Sequence, residues 1–415
     1  MHILFLTDNF PPEVNAPASR TFEHCREWVK AGHQVTVITC VPNFPRGKVY
    51  EGYKNKLRQS EMMDGIKVIR VWTYIAANRG FIKRILDYLS YMISAMVASA
   101  FVRRPNFVIA TSPMLFTAMA GCMVGGMRRI PFVFELRDMW PESIKAVGAM
   151  KDSLAIRFFE IIEMFLYRKA SRIVSVTESF RNILIRRGID PDKIDVVTNG
   201  VDLSRFGTMS KDKNLVRKYG LEDKFVAGYI GTHGMAHSLE TILDAADRIR
   251  KTNNGGGFRF VFLGDGARKK ELIERAKEMG LENVIFVDSV PKEEVVRYWS
   301  LLDVSIIHLK KIPLFTTVIP SKLFECMGMG IPILHGVAGE SAGIVEREEC
   351  GLVFEPENAE ELCEKLIALK NDHELYQRLK DGCVKAAKGY DRVVLARKML
   401  GILETQVGDE VKAEG

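Results

Sequence analysis

Short apolar runs alternate with amphipathic stretches along most of the chain. Residues 2–7 are largely apolar and end in Asp8-Asn9-Phe10-Pro11-Pro12. An amphipathic stretch around 19–31 closes at Gly32-His33, and 34–40 is apolar again. Strand, helix, strand in that order predicts a βαβ unit and the start of a parallel sheet. Runs at 107–111, 132–136, 172–176 and 194–198 extend the sheet, with helical stretches at 115–127 and 152–170 between them. The turn Asn199-Gly200-Val201-Asp202 suits a domain crossover. The alternation then restarts at 225–230, 258–263, 284–287 and 304–308, and resumes after Pro332. An α/β protein of two Rossmann-like parallel-sheet domains facing a crevice is expected. The domains are placed at 1–200 and 201–385, with a final helix in 386–415 crossing back to the first. The tail reads as an amphipathic helix over 357–389 and one more over 391–406.

In open parallel sheets ligands gather at the carboxyl ends of the strands, so the residues there carry the candidate chemistry. The stretch Pro320-Ser321-Lys322-Leu323-Phe324-Glu325 stands out. Ser321 has N-cap chemistry, and Gly328 or Gly330 can close the helix. Unpaired N–H groups at a helix start favour a phosphate, and Lys322 adds a full charge in the first turn. Glu325 lies one turn after Ser321, where a carboxylate can accept hydrogen bonds from a ribose diol. A solvated helix acid is the plain alternative. Gly231-Thr232-His233-Gly234 follows another strand: its glycines let N–H groups approach an anion, and His233 and His237 are candidate donors. Ser238 or Thr241 is expected to open the next helix. Gly264-Asp265-Gly266 repeats the pattern.

In the first half, Asp138 in Arg137-Asp138-Met139-Trp140-Pro141-Glu142 follows a strand, and Glu178 has the same address beside Ser179, an expected N-cap. No Gly-x-Gly-x-x-Gly follows the first strand, which counts against NAD binding. Asp190-Pro191-Asp192 precedes a strand and reads as turn chemistry, so no metal site is assigned. Residues 41–64 read as a basic loop with Arg46, Lys48, Lys54, Lys56 and Arg58, solvated or meeting lipid head groups or an acceptor phosphate. From Ile85 to Val102 only Asp87 is charged, near the threshold of about 18 residues for a spanning helix. Burial or partial interfacial insertion ranks above spanning, and with 115–127 it suggests a membrane-facing patch.

A net charge of +7 without an Arg/Lys-rich arm excludes a nucleic-acid partner and suits anionic ones. Seven scattered cysteines without a Cys-x-x-Cys pair indicate buried thiols in a reducing compartment. The opening residues lack a basic n-region and cleavage site, which argues against secretion.

The motif order resembles family 4 retaining glycosyltransferases of GT-B fold: Asn199-Gly200-Val201-Asp202, Gly231-Thr232-His233-Gly234, Gly264-Asp265-Gly266, then Glu325 before Gly330-Ile331-Pro332. Asp138-Met139-Trp140-Pro141 and Ser321-Lys322-Leu323-Phe324-Glu325 are similar to the branch that builds bacterial O-antigen, capsule and exopolysaccharide, with N-acetylfucosamine transferases as suggested kin. The resemblance implies donor binding by Asn199, Gly231, His233, His237, Gly264, Asp265, Thr317, Ser321, Leu323 and Glu325. It implies Asp138, Glu178 and Lys322 at the reacting centre, and Asn15 and Ala16 in an acceptor loop. The family's Glu-x7-Glu keeps its second member as Glu325, while the first falls on Thr317. The family's Arg/Lys pair for the pyrophosphate is replaced by His233 and His237.

These features imply sugar transfer from a nucleotide diphosphate donor, a UDP-sugar, to a lipid-linked (polyprenyl-diphosphate) saccharide. The expected place is the cytoplasmic face of the bacterial inner membrane, with no cofactor and no metal. A UDP-sugar 2-epimerase of the same fold and a non-catalytic sugar-nucleotide-binding partner remain as rivals.

Overall fold

The computed structural model describes all residues except 45–46, 76–80, 113, 140–153, 253–254 and 415, and the side chains of 81–82, 154–155 and 407–414. Arg46 and the Trp140-Pro141-Glu142 part of the Asp138 motif therefore lie outside the described residues. The chain forms two compact units: residues 1–198 with 392–415, and residues 199–391.

Unit 1 is built on an eight-stranded sheet. Its strands are β1 (His2–Leu6), β2 (Gln34–Cys40), β3 (Arg58–Met63), β4 (Ile66–Val71), β5 (Phe107–Thr111), β6 (Phe132–Leu136), β7 (Arg172–Ser175) and β8 (Ile194–Val196). They lie in the order β3-β4-β2-β1-β5-β6-β7-β8. Every pairing is parallel except β3 with β4. β1, β5 and β6 are buried at every position, which explains why they read as unbroken apolar runs. β3 and β4 correct the expected loop over 41–64. They form a hairpin turned by Asp64 (φ 48°) and Gly65 (φ 81°). Residues of β3 alternate exposed and half-buried, so no apolar run announces it.

Helices Phe81–Ala100, Leu115–Arg128 and Leu154–Lys169 pack on one face of this sheet. Tyr91, Ala95 and Ala98 of the first are buried, whereas Ile93 and Val97 are exposed. No helix among the described residues is long and apolar enough to cross a membrane. Helices Ala16–Lys30 and Arg392–Glu414 cover the other face, where Trp28 Nε1 donates to the Ala396 carbonyl at 2.9 Å. Glu178 begins helix Glu178–Arg186, which Thr177 caps through the Phe180 N–H at 3.0 Å, correcting the expectation for Ser179. Asp190 caps the turn Pro191–Lys193.

Unit 2 holds a six-stranded sheet in the order β11-β10-β9-β12-β13-β14, parallel throughout. The strands are β9 (Phe225–Ile230), β10 (Phe258–Leu263), β11 (Val284–Val287), β12 (Val304–His308), β13 (Ile333–Gly336) and β14 (Gly351–Val353). β14, three residues long, has no counterpart among the expected strands. Helices Lys322–Met329 and His373–Ala387 share one core layer; Glu240–Arg250 and Ala359–Asn371 share the other. The expected single helix over 357–389 is thus two, broken at Asp372, whose carboxylate accepts the Leu375 N–H at 2.9 Å. All seven cysteines are free thiols, and six are buried.

Arg20 organises the middle of unit 1. Its buried guanidinium meets buried Glu135 at 3.0 Å and donates to the carbonyls of Thr198 (2.7 Å) and Val197 (3.0 Å). Burial alone would raise the Glu135 carboxyl, but the charges of Arg20 and Arg137 hold it below its usual value. Arg20→Ala would leave that carboxylate buried without its closest cation, and we expect a loss of about 3–5 kcal/mol in chemical denaturation. Because the folded-state value of Glu135 is depressed, its stabilisation is present above the ordinary carboxyl value of 4.5 and disappears as pH falls through the lower folded value. Arg20→Ala should therefore flatten the acid limb of the stability–pH profile, and an unchanged limb would refute the assignment.

Candidate active site

The candidate site in unit 2 is assembled from the carboxyl ends of β9, β10 and β12 and the start of helix Lys322–Met329. The first two loops are joined backbone to backbone. Gly231 N–H donates to the Leu263 carbonyl (2.9 Å), His233 N–H to the Asp265 carbonyl (2.9 Å), and Arg268 N–H to the His233 carbonyl (3.0 Å). This approach dictates glycine. A Cβ at Gly264 (φ 144°) would overlap the Gly231 carbonyl oxygen, and one at Gly266 would overlap that of His233. At Gly231 (φ 142°) it would lie 2.8 Å from Lys322 Nζ. Gly234 differs: its φ is −104° and a Cβ would meet only ordinary contacts, so its backbone does not require glycine. Lys269, which no sequence signal marked, ties the base of these loops. Its buried ammonium donates to the carbonyls of Gly264 (2.8 Å) and Val287 (3.2 Å) and to Asp288 (2.6 Å).

Lys322 is the electrostatic centre. Its Nζ is buried, has no hydrogen-bond partner and lies 3.7 Å from the centroid of the Tyr229 ring. Burial lowers its pKa to about 8 despite the opposing influence of Cys326 and Glu325. Such an ammonium is costly to bury and held only by a ring face, which leaves its donors available to an anion. Glu325 sits in the same helical turn, half-buried. Tyr229, also unmarked in the sequence, donates from its hydroxyl to the Thr232 carbonyl at 2.8 Å, which fixes the ring.

The two histidines part company. His233 is fully buried, its ring packed against Tyr229, Phe262 and Phe286 and both ring nitrogens without a hydrogen-bond partner. His237 is half-buried, with its ring 5.8 Å from Tyr229 and its Nδ1 without a partner. Burial first, and Lys322 with it, lowers both to about 4, so both are neutral at pH 7. The loop carrying His237 is clamped from β12. His308 Nδ1 lies 2.8 Å from the His237 carbonyl while Nε2 accepts the Glu357 N–H at 2.8 Å, which fixes the neutral Nδ1–H tautomer. Glu357 in turn accepts from Ser238 Oγ (2.9 Å) and the Lys311 N–H (3.0 Å). Ser238 therefore braces the loop, and neither it nor Thr241 caps helix Glu240–Arg250, whose N-cap is Leu239.

Other expectations are redistributed. Ser321 occupies the N-cap position in helical conformation and makes no side-chain cap bond. Gly330 closes the helix at φ 66°. The Leu323 side chain is in the core and its N–H bonds the Pro320 carbonyl. Thr317 Oγ1 donates to the Leu314 carbonyl (2.8 Å) within the turn Pro313–Thr317. Asp265 is exposed, and its carboxylate accepts the Gly266 N–H at 2.8 Å. Asn199 is the first residue of unit 2.

In unit 1, Asp138 and Glu178 follow the neighbouring strands β6 and β7. The Asp138 N–H donates to Ser112 Oγ at 3.2 Å, and Glu178 lies 3.9 Å from Arg181. Asn15 caps helix Ala16–Lys30 through the Ala18 N–H (2.9 Å) and donates to Asn9 (2.6 Å); Ala16 is exposed beside it.

Two parallel-sheet α/β units with polar loops at the strand ends define the GT-B class of glycosyltransferase architecture. Residues 15–200 match the glycosyl transferase 4-like domain and 211–383 match glycosyl transferases group 1. The chain belongs to family 4 of the glycosyltransferases. It is similar to the putative colanic acid biosynthesis glycosyl transferase WcaI of Escherichia coli, 26% identical over 80% of this chain and 82% of that one. It is also similar to the N-acetylgalactosamine-N,N'-diacetylbacillosaminyl-diphospho-undecaprenol 4-alpha-N-acetylgalactosaminyltransferase of Campylobacter jejuni, 24% identical over 73% and 74%. Among solved structures, HepE of Anabaena in complex with UDP superposes with a TM-score of 0.71 at 15% identity over 98% and 100%.

The glycine contacts make a paired test. Gly264→Ala should destabilise unit 2 by roughly 2–4 kcal/mol through backbone strain and overlap, whereas Gly234→Ala should stay within about 0.5 kcal/mol of wild type. Equal effects in thermal unfolding would mean the loop contact is misassigned.

Proposed function

We propose that the protein is a retaining glycosyltransferase that moves a sugar from a UDP-sugar to a lipid-linked saccharide in bacterial surface-polysaccharide synthesis. The observation that carries this reading is the unpartnered ammonium of Lys322 beside the Gly231 loop, one turn from Glu325. A pyrophosphate supplies the acceptors that Lys322 lacks, and Glu325 is placed to accept from the ribose diol. With His237 neutral, Lys322 and loop N–H groups carry the charge stabilisation of the leaving group. Retention follows if the leaving phosphate takes the acceptor proton on the face it departs from, with Asp138 orienting sugar or acceptor. The relatives named for colanic acid and for a diphospho-undecaprenol acceptor support the polysaccharide setting.

A lipid-linked acceptor calls for a membrane surface, and we place the protein peripherally at the cytoplasmic face of the inner membrane. The three helices on one face of the unit 1 sheet expose Ile93, Val97, Met127, Phe158 and Ile161, and Phe101 is exposed just past the first. Basic side chains at Arg103, Arg104, Arg128, Arg129, Arg168 and Lys169 border them in sequence, as binding to anionic lipid requires.

Calorimetric titration with UDP, GDP and dTDP tests the donor site. Glu325→Ala should weaken UDP by about tenfold, or 1.4 kcal/mol. Wild-type affinity should decline as pH rises through about 8, where free Lys322 loses its proton, and Lys322→Met should bind weakly with no such slope. No nucleotide binding, or a Glu325 variant equal to wild type, would sink the donor assignment. Incubation with the UDP-sugar alone separates the rivals, since an epimerase turns it over without acceptor and a pure binder yields no product. For the membrane, co-flotation with phosphatidylglycerol vesicles should fall at least tenfold in a Phe158→Ser/Ile161→Ser variant, and flotation equal to wild type would remove that surface from the account.

A further inference from the structure

Helix Lys322–Met329 brings the ammonium of Lys322 against β9 and the loop that follows it. Its Nζ lies 3.7 Å from the centroid of the Tyr229 ring, and a Cβ at Gly231 would stand 2.8 Å from it. The ammonium is thus seated between a ring face and a bare backbone. The titratable groups around it are Glu325 and Cys326 on its own helix, Tyr229 on β9, and His233 and His237 on the next loop. Burial keeps the Tyr229 phenol and the Cys326 thiol protonated, and it keeps both imidazoles neutral at pH 7. Apart from Glu325, none of these groups offers Lys322 a negative charge.

Tyr229 is 1% exposed and is held at its far end. Its hydroxyl donates to the Thr232 carbonyl at 2.8 Å, inside the Gly231-Thr232-His233-Gly234 loop. One side chain therefore touches both parts of the candidate donor site: its face carries the ammonium and its edge ties the loop. An aromatic ring in this place has a chemical consequence. A carboxylate there would pair with Lys322 and compete with any incoming anion for it. The ring's quadrupole attracts the charge without taking up the ammonium's strong hydrogen bonds.

We infer that Tyr229 is a positioning residue for the donor's diphosphate, seating the Lys322 ammonium on its ring and the Gly231–Gly234 loop on its hydroxyl so that both meet one anion. The diphosphate rests on the transferase reading above; the seating of the ammonium does not. The ring favours the charged form of Lys322 and so opposes the effect of burial on it.

Replacing Tyr229 by phenylalanine, and then by mono-, di- and trifluorophenylalanine, tests this on the full chain. The series keeps the ring's shape and buried contacts while draining its face of electron density, a change that a merely structural role would not register. The charge of Lys322 is read by carbon-13 NMR of Cε-labelled lysine, from the resonance that Lys322→Met lacks. Tyr229→Phe should keep the midpoint at about 8, and fluorination should lower it step by step to about 7.5. UDP affinity near that midpoint should fall in the same order, by about threefold in all. The missing hydroxyl should cost the whole series a further loss of roughly threefold, present also at acid pH where Lys322 is fully charged. A midpoint unmoved or raised by fluorination would overturn the inference, as would Tyr229→Phe binding UDP like wild type at acid pH. A stepwise fall of the midpoint in a protein that binds no UDP would uphold the seat and overturn the donor reading instead.

Discussion

The contact on which the candidate donor site depends is that of two backbones, Gly264 Cα against the Gly231 carbonyl. With no side chain between them, the loops after β9 and β10 share hydrogen bonds and behave as one rigid floor. Lys269 holds that floor from beneath and the His308–Glu357 bracket holds its outer rim. The ammonium of Lys322 rests on the Tyr229 ring, which the bond from its hydroxyl to the Thr232 carbonyl fixes in place. The arrangement is preorganised in the sense that matters for catalysis: donors are in place before charge develops.

Much of the fold was legible because parallel sheets buried on both faces write themselves as apolar runs. β1, β5, β6, β9 and β10 are of this kind. β3 left no such trace, being an edge strand with one half-buried face, although the Asp64-Gly65 pair is a strong hairpin signal that could have found it. Asp372 was hard to see for another reason, since one residue ends a helix and caps the next, and the amphipathic pattern runs through it unbroken.

The candidate site was legible where a local backbone motif marks it, at the Gly231 and Gly264 loops and the helix start that carries Lys322 and Glu325. It was not where a side chain acts through tertiary contacts. His233 looked like an exposed histidine because it follows a strand, yet its ring is buried among Tyr229, Phe262 and Phe286. Tyr229, His308 and Lys269 carry no motif at all, and only the packing gives them roles. Leu323 shows the converse, a core residue inside a functional motif.

Helix Arg392–Glu414 makes unit 1 discontinuous in sequence. Leu395, Met399, Leu400 and Leu403 complete a core layer whose other members come from β1, β2, β4, β5, β6 and β7, helix Ala16–Lys30, Phe10 and Val197. Residues 199–391 form a contiguous unit inserted between the two segments of unit 1. Unit 1 is completed by a segment separated from the rest of it by the whole of unit 2. Without residues 392–403 the Trp28 indole lacks the Ala396 carbonyl and the layer lacks its four C-terminal side chains.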